Sequence, residues 1–113
     1  MNYRVAVASS DGKYINQHFG HARQFLIFEL EPGADFRFLE LRETNPPCDG
    51  GEHHDDKLNR AVRAVTDCQF LLVSHIGPGA AQLAKSKGVI PFAYPDFIDI
   101  ALDKLQKHLE QKK

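Results

Sequence analysis

Phe70-Leu71-Leu72-Val73-Ser74-His75-Ile76-Gly77-Pro78-Gly79-Ala80 is the stretch that decides the fold. Four consecutive apolar residues after Gln69 read as a strand, running from Gln69 to Ser74 and buried on both faces. Gly77-Pro78-Gly79 is a turn. Ala80, Leu83 and Ala84 then recur at helical spacing on one face. Gly88 is placed to close that helix at the C′ position, and Val89 to Ala93 reads as a further short strand. Strand, helix and strand in succession make a crossover, which joins parallel neighbours with right-handed connectivity.

The pattern extends in both directions. Upstream, Leu58, Ala61, Val62 and Val65 fall at i, i+3, i+4 and i+7, one apolar helical face, with Asp55 and Asp56 in the first turn where the helix dipole favours acids. Downstream, Pro95-Asp96 starts a last helix carrying Ile98, Leu102, Leu105 and Leu109 on one face, with Asp96 as the expected N-cap. At the other end, Tyr3 to Ala8 is a buried strand of small and β-branched residues, ended by the turn signal Ser9-Ser10-Asp11-Gly12. Lys13 to His21 is irregular, with Ile15 and Phe19 as anchors. Gln24 to Leu30 and then Phe36, Phe38, Leu39 and Leu41 give two more strands around a compact connection, Glu31 to Asp35. Short links between these three strands imply an antiparallel meander. The order is β-β-β-α-β-α-β-α. The expected architecture is α/β and ribonuclease-H-like: a five-stranded mixed sheet of order 3-2-1-4-5, strand 2 antiparallel, flanked by helices. Residues 1–113 read as a single domain.

Charge and composition narrow the function. A formal net charge of −1 provides no basic field for nucleic acid or an anionic membrane. No run approaches the ~20 apolar residues of a membrane span, and the N-terminus enters a strand without a signal-peptide core. Two cysteines, Cys48 and Cys68, make no disulfide framework. Cys68 reads as a buried small hydrophobe. The expected location is the reducing cytoplasm.

In sheets of this kind ligands sit at the carboxyl ends of the parallel strands. Those ends carry Ser9 to His21, Ser74 to Gly79 and Ala93 to Asp96. The first holds Asn16-Gln17-His18-Phe19-Gly20-His21. Two histidines three apart can present imidazoles to a transition metal, or serve as loop histidines bonded to backbone. The third strand is followed by Cys48, Glu52, His53, His54, Asp55 and Asp56, where thiolate, imidazole and carboxylate occur within nine positions. That spacing matches no zinc ribbon or finger, and the same residues would also suit a surface loop that caps the next helix. Ser74-His75-Ile76-Gly77-Pro78-Gly79 makes a strand-to-helix turn whose helix N-terminus, at Gly77 and Gly79, favours anions. It lacks both glycine-rich nucleotide patterns. His75 stands at the edge of the same crevice. The candidate metal ligands are thus His18, His21, Cys48, His53, His54 and His75. Catalysis has little support. A ribonuclease-H-like nuclease needs converging carboxylates, yet the first strand has none and Asp11 reads as a turn residue. No G-x-S-x-G elbow is present.

Ser10-Asp11-Gly12 followed by Asn16-Gln17-His18-Phe19-Gly20-His21-Ala22-Arg23 and Phe25-Leu26-Ile27-Phe28 resembles the dinitrogenase iron–molybdenum cofactor biosynthesis family, which includes NifX-type proteins and the C-terminal domain of NifB-type proteins. The resemblance continues through Cys48-Asp49-Gly50-Gly51, Ala64 to Cys68, Leu72-Val73-Ser74, Ile76-Gly77 and Gly88-Val89-Ile90-Pro91. It implies a ribonuclease-H-like fold and a non-enzymatic role. That role is to bind or carry the iron–molybdenum cofactor or its iron–sulfur precursor, with cofactor-assembly or acceptor proteins as partners. It implies His18 of the His-Phe-Gly motif, with Phe19 and Gly20 beside it, as the leading ligand position; His21 and Cys48 match positions of the NifB-like branch. The radical-SAM Cys-x-x-x-Cys-x-x-Cys motif of NifB-type proteins is not in this sequence. Free-standing members also occur outside nitrogen fixation. Three other classes remain open: a mononuclear metal-binding or metal-sensing domain, a protein-interaction module, and a ribonuclease-H-like hydrolase.

Overall fold

Strand β1 (Tyr3–Ala8) owes its central position to its composition. Its last four residues, Val5, Ala6, Val7 and Ala8, are all fully buried, so both faces of the strand must be covered. The computed structural model describes residues 2–31, 35–44 and 60–111. β2 (Gln24–Leu30) pairs antiparallel with β1, from Tyr3 opposite Leu30 to Ala8 opposite Phe25. β3 (Phe36–Glu43) pairs antiparallel with β2 at one edge. β4 (Phe70–Val73) lies parallel to β1 on its other side, and β5 (Ile90–Ala93) lies parallel to β4. The sheet order is 3-2-1-4-5 with β2 antiparallel to β1, the ribonuclease-H-like arrangement that the strand pattern implied.

Alternation along the strands sends side chains to two separate cores. On one face, Ala6, Ala8, Phe25, Ile27, Leu71 and Val73 pack under a helical segment at residues 60–63 and under α1 (Pro78–Ser86). On the other, Val5, Val7, Phe28, Leu30 and Leu72 pack under α2 (Ile98–Gln111) through Ile98, Ala101, Leu102 and Leu105. The sheet is therefore sandwiched between helical layers, which is why β1 and β4 read as continuous apolar runs. Of the first expected helix, Ala61, Val62 and Val65 are buried as the periodicity required, although helical geometry gives way to turns from Ala64 to Asp67. Asp55, Asp56 and Leu58 lie outside the described residues.

The ends of the helices refine the sequence reading. Gly88 takes φ +85 just past α1, the left-handed conformation a C′ glycine supplies. α2 begins differently from expectation. The Phe97 carbonyl accepts the first helical bond from Ala101, so Phe97 is the N-cap, and the Asp96 carboxylate accepts the Phe97 N–H one residue earlier. Asp96 orients the cap residue instead of being it. A β-bulge between β2 and β3 also escaped the pattern. Phe28 faces Phe38 while Ile27 faces Glu40, leaving Leu39 as the extra residue.

A charged knot closes one side. Arg42, near the end of β3, makes two bonds of 2.7 Å to the Asp67 carboxylate and one of 2.8 Å to the Ala64 carbonyl. Arg4 of β1 adds a third bond to Asp67 at 3.0 Å. Hydrogen bonds from Arg42 hold the Asp67 carboxyl well below its ordinary value of 3.8. The bidentate geometry is the strong form of such a pair, but Asp67 is 42% exposed, so water screens it. Arg42→Met should cost about 1–2 kcal/mol in chemical denaturation, because it strands the Ala64 carbonyl as well as the carboxylate. Since the folded-state pKa of Asp67 is depressed, its contribution is complete above about pH 4 and is lost as pH falls through the folded value. Asp67→Asn should therefore flatten the acid limb of the stability profile.

Candidate functional site

The loop after β1 is held by its own side chains. The buried Ser9 hydroxyl donates to Asp11 Oδ1 at 3.1 Å and accepts the Gly12 N–H at 3.0 Å. The same Asp11 oxygen accepts the N–H groups of Lys13 and Tyr14 at 2.9 and 3.0 Å. These bonds to the charged form lower the Asp11 pKa, the Lys13 bond first. Gly12 turns the chain at φ +75, where a side chain would be strained. Asn16 then bridges back to Ser10, accepting its N–H and donating to its hydroxyl, each at 3.0 Å. The Ser-Asp-Gly…Asn signature is thus a self-bonded turn. The Asp11 carboxylate is spent on backbone, which fits its reading as a turn residue.

From this turn the chain is stitched across the carboxyl edge of the sheet. Ile15 N–H donates to the Asp96 carbonyl at 2.9 Å, Ile98 N–H to the Lys13 carbonyl at 2.8 Å, and Tyr14 hydroxyl to the Pro95 carbonyl at 3.0 Å. Ile15 and Phe19 are both buried, as their anchor reading required, with the Phe19 ring against Phe25 at 5.9 Å. Between these anchors, Ser74 N–H donates to the Gln17 carbonyl at 3.0 Å and Phe19 N–H to the His75 carbonyl at 2.9 Å. His18 and His75 become a parallel bridge that extends the β1–β4 pairing beyond both strands.

That bridge gathers three histidines. The His18 and His75 rings stack with centroids 4.4 Å apart and 22° between planes. A single 3-10 turn, Phe19–His21, then brings His21 to 6.1 Å from His18, edge to face. All three side chains are exposed. His75 Nδ1 lies 3.4 Å from the Ser74 hydroxyl. Among the described residues no three His, Cys, Asp or Glu side chains form a ready-made metal chelate. The His18 and His75 rings face each other and the His21 ring meets His18 edge-on, all three exposed to something docking from outside.

The remaining sequence candidates divide. Gly77 caps α1 two residues after His75, and Pro78 follows at the first helical position. Gly77 sits at φ −70, and a Cβ on Gly77 or Gly79 would meet nothing within 4 Å, so neither glycine is required by packing or by backbone strain. Gly20 lies in the 3-10 turn beside the histidines. Cys48, His53 and His54 lie outside the described residues. The last residue before their segment, Thr44, donates its N–H to the Arg23 carbonyl at 2.9 Å, two positions beyond His21. Cys68 is buried, and desolvation with the neighbouring Asp67 charge pushes its thiol up to about 12. It is a packed thiol with no thiolate to offer. Ser9 stood in the expected turn signal and Asn16 in the expected motif, but the bonds that join them to Asp11, Gly12 and Ser10 were not foreseen. Their spacing to Asp11 and Gly12 carried the signal, since Ser, Asp and Asn beside a glycine are the residues that bond their own turn.

A ribonuclease-H-like sheet with histidines gathered on the carboxyl edge of two parallel strands defines the class. The chain matches the family described as dinitrogenase iron-molybdenum cofactor over residues 1–108, and it belongs to that family. It is 35% identical over 108 residues to a FeMo cofactor biosynthesis protein NifB of Frankia alni, covering 93% of this chain and 21% of that protein. It is 30% identical over 113 residues to a Protein NifX of Sinorhizobium fredii, covering 95% of this chain and 70% of that one. The chain thus spans about a fifth of the NifB protein and most of the NifX protein. A crystal structure of PH0822 shares the fold, with a TM-score of 0.68 at 22% identity over 93% of this chain and 91% of that one.

Two outcomes test the site's construction. Asp11→Ala should accelerate hydrogen exchange at the Lys13 and Tyr14 amides and shift the His18 ring resonances, while amides of β4 keep their protection. In a Cys48→Ser chain, iodoacetamide at pH 8 should leave Cys68 unlabelled until denaturant is added; rapid native labelling would contradict its packed, protonated state.

Proposed function

We propose that this domain binds and carries a preformed iron–sulfur or iron–molybdenum cluster, with the histidine edge as its docking point. The supporting observation is the stacked pair His18 and His75, with His21 alongside, on the carboxyl edge of β1 and β4. Imidazole is a suitable ligand for iron. A cluster brings most of its own ligands as sulfide, so one or two protein imidazoles can complete it. A mononuclear zinc-type site would instead need three or four converging protein ligands. Few protein ligands also suit a carrier, which must release what it holds. His18 is the leading ligand and His75 the second, with His21 able to hydrogen-bond an outer sulfide. Phe19 and Gly20 fix the turn that aims them. Cys48, and less directly His53 and His54, supply a thiolate and further imidazoles on the segment that follows Thr44. Backbone N–H groups at the α1 N-terminus, after Gly77 and around Gly79, favour the cluster's negative charge.

Among the described residues of this edge, the Asp11 and Asp96 carboxylates are engaged with backbone N–H groups, which does not favour catalysis. We therefore read the domain as a non-enzymatic member that exchanges its cargo with assembly or acceptor proteins in the cytoplasm. Among the described residues no helix is long and apolar enough to cross a membrane.

The test is anaerobic titration of the purified chain with a synthetic iron–sulfur cluster, followed by visible absorption and gel filtration. The chromophore should co-migrate with the protein. His18→Ala should lower affinity by about tenfold or more without changing the circular dichroism, and His75→Ala should do so less severely. Equal affinity in the His18 variant would remove it as a ligand. No co-migration with the unmodified chain would move the protein-interaction reading to first place.

A further inference from the structure

A second concave site lies away from the histidines, between the edge strand β5 and helix α2. Its cavity measures about 220 Å³ and is bounded by Leu72, Phe92, Ala101 and Leu105, with Tyr94, Lys104 and His108 at the rim. Of these only Tyr94 falls in a segment at the carboxyl ends of the strands, and His18, His21 and His75 are not among them. We propose that this groove binds a small amphipathic carboxylate, with an apolar body about the size of one aromatic ring and an anionic head held by Lys104 and His108.

Three observations converge on that class. The floor is made by the apolar side chains of α2 and β4, and Phe92 remains 38% exposed although its ring stacks on Phe70 at 6.1 Å. An exposed aromatic over an apolar hollow is surface that a ligand would cover. The volume is that of a compact body, since an apolar cavity of roughly 150 Å³ accepts benzene. The rim supplies the sign of charge. Lys104 Nζ donates to the Tyr94 hydroxyl at 2.6 Å and stands 5.3 Å from the centre of the same ring. This contact raises the Lys104 pKa and keeps the ammonium charged. One of its three N–H groups is thereby used and two remain. His108, one turn further along α2, adds a ring N–H. Among the described residues none that lines the groove is acidic. Asp96 lies near enough to favour the ammonium but outside the lining, and its carboxylate accepts the Phe97 N–H.

Geometry also argues for a small molecule over an added strand. The N–H groups of Ile90 and Tyr94 point inward to β4. By alternation the outward positions on β5 are Pro91 and Ala93. Proline has no N–H to donate, so the outer edge of β5 is a poor template for strand addition beside the groove.

The test is a titration of the isotope-labelled full chain with 3-phenylpropanoate, followed by amide chemical shifts, with the uncharged 3-phenylpropanamide as control. The expected result is saturable shifts at Leu72, Phe92, Ala101 and Leu105, with the acid bound about tenfold more tightly than the amide. Lys104→Gln should remove that preference, and Phe92→Ala, at an exposed position, should weaken both compounds. The His18→Ala chain should bind as the unmodified chain does, which separates this site from cluster carriage. Absence of saturable shifts at these residues up to millimolar ligand would overturn the site, and equal binding of acid and amide would overturn the assigned ligand class.

Discussion

Two backbone hydrogen bonds, Ser74 N–H to the Gln17 carbonyl and Phe19 N–H to the His75 carbonyl, hold the histidine edge of this molecule together. They prolong the parallel pairing of β1 and β4 into segments that are no longer strands. Their formation requires the irregular stretch after β1 to lie flat along the sheet edge. Burial of Ile15 and Phe19 on either side supplies the driving force, and the self-bonded turn from Ser9 to Asn16 supplies the path. Without that stitch His18 and His75 would belong to two unrelated loops. With it, their rings stack at 4.4 Å.

The same economy separates stability from function. Both faces of the sheet are filled by apolar side chains under helices, and the ion pairs among the described residues lie outside that core, on the flank where Arg4 and Arg42 meet Asp67, between Arg37 and Glu29, and between Lys107 and Asp103. The carboxyl edge carries exposed imidazoles, and its Asp11 and Asp96 carboxylates each accept backbone N–H groups. Three of its imidazoles, those of His18, His21 and His75, are exposed and form no part of the core.

Much of this was legible in the sequence. The uninterrupted runs Val5 to Ala8 and Phe70 to Val73 announced central strands, and the crossover through Gly77 to Gly88 required β4 and β5 to be parallel. From that order the carboxyl-edge position of His18 and His75 followed. Their contact did not, because a bridge between irregular segments leaves no periodic trace. Asp96 was misplaced by one position at the start of α2, since either Asp96 or Phe97 satisfies the pattern and only the Ala101 bond distinguishes them. The bulge at Leu39 and the Arg42–Asp67 pair depend on partners distant in sequence. Local pattern reading has no access to such pairs. Cys68 was readable as a packed thiol because it follows a helical face and precedes a buried strand, whereas Cys48, His53 and His54 rest on residue chemistry alone.

Family membership associates the chain with iron–molybdenum cofactor biosynthesis, and the proposed role of the imidazoles directs attention to one edge. The most direct measurement is pulsed electron paramagnetic resonance on a paramagnetic iron–sulfur cluster bound to chain carrying nitrogen-15 histidine. A directly ligated imidazole couples its nitrogen to the cluster spin. A nitrogen-15 hyperfine signal should weaken in His18→Ala, weaken further when His75 is also replaced, and be unchanged in His108→Ala. A bound cluster with no histidine coupling, or one whose coupling is unchanged in His18→Ala, would contradict the assignment of the His18 edge as the point of attachment.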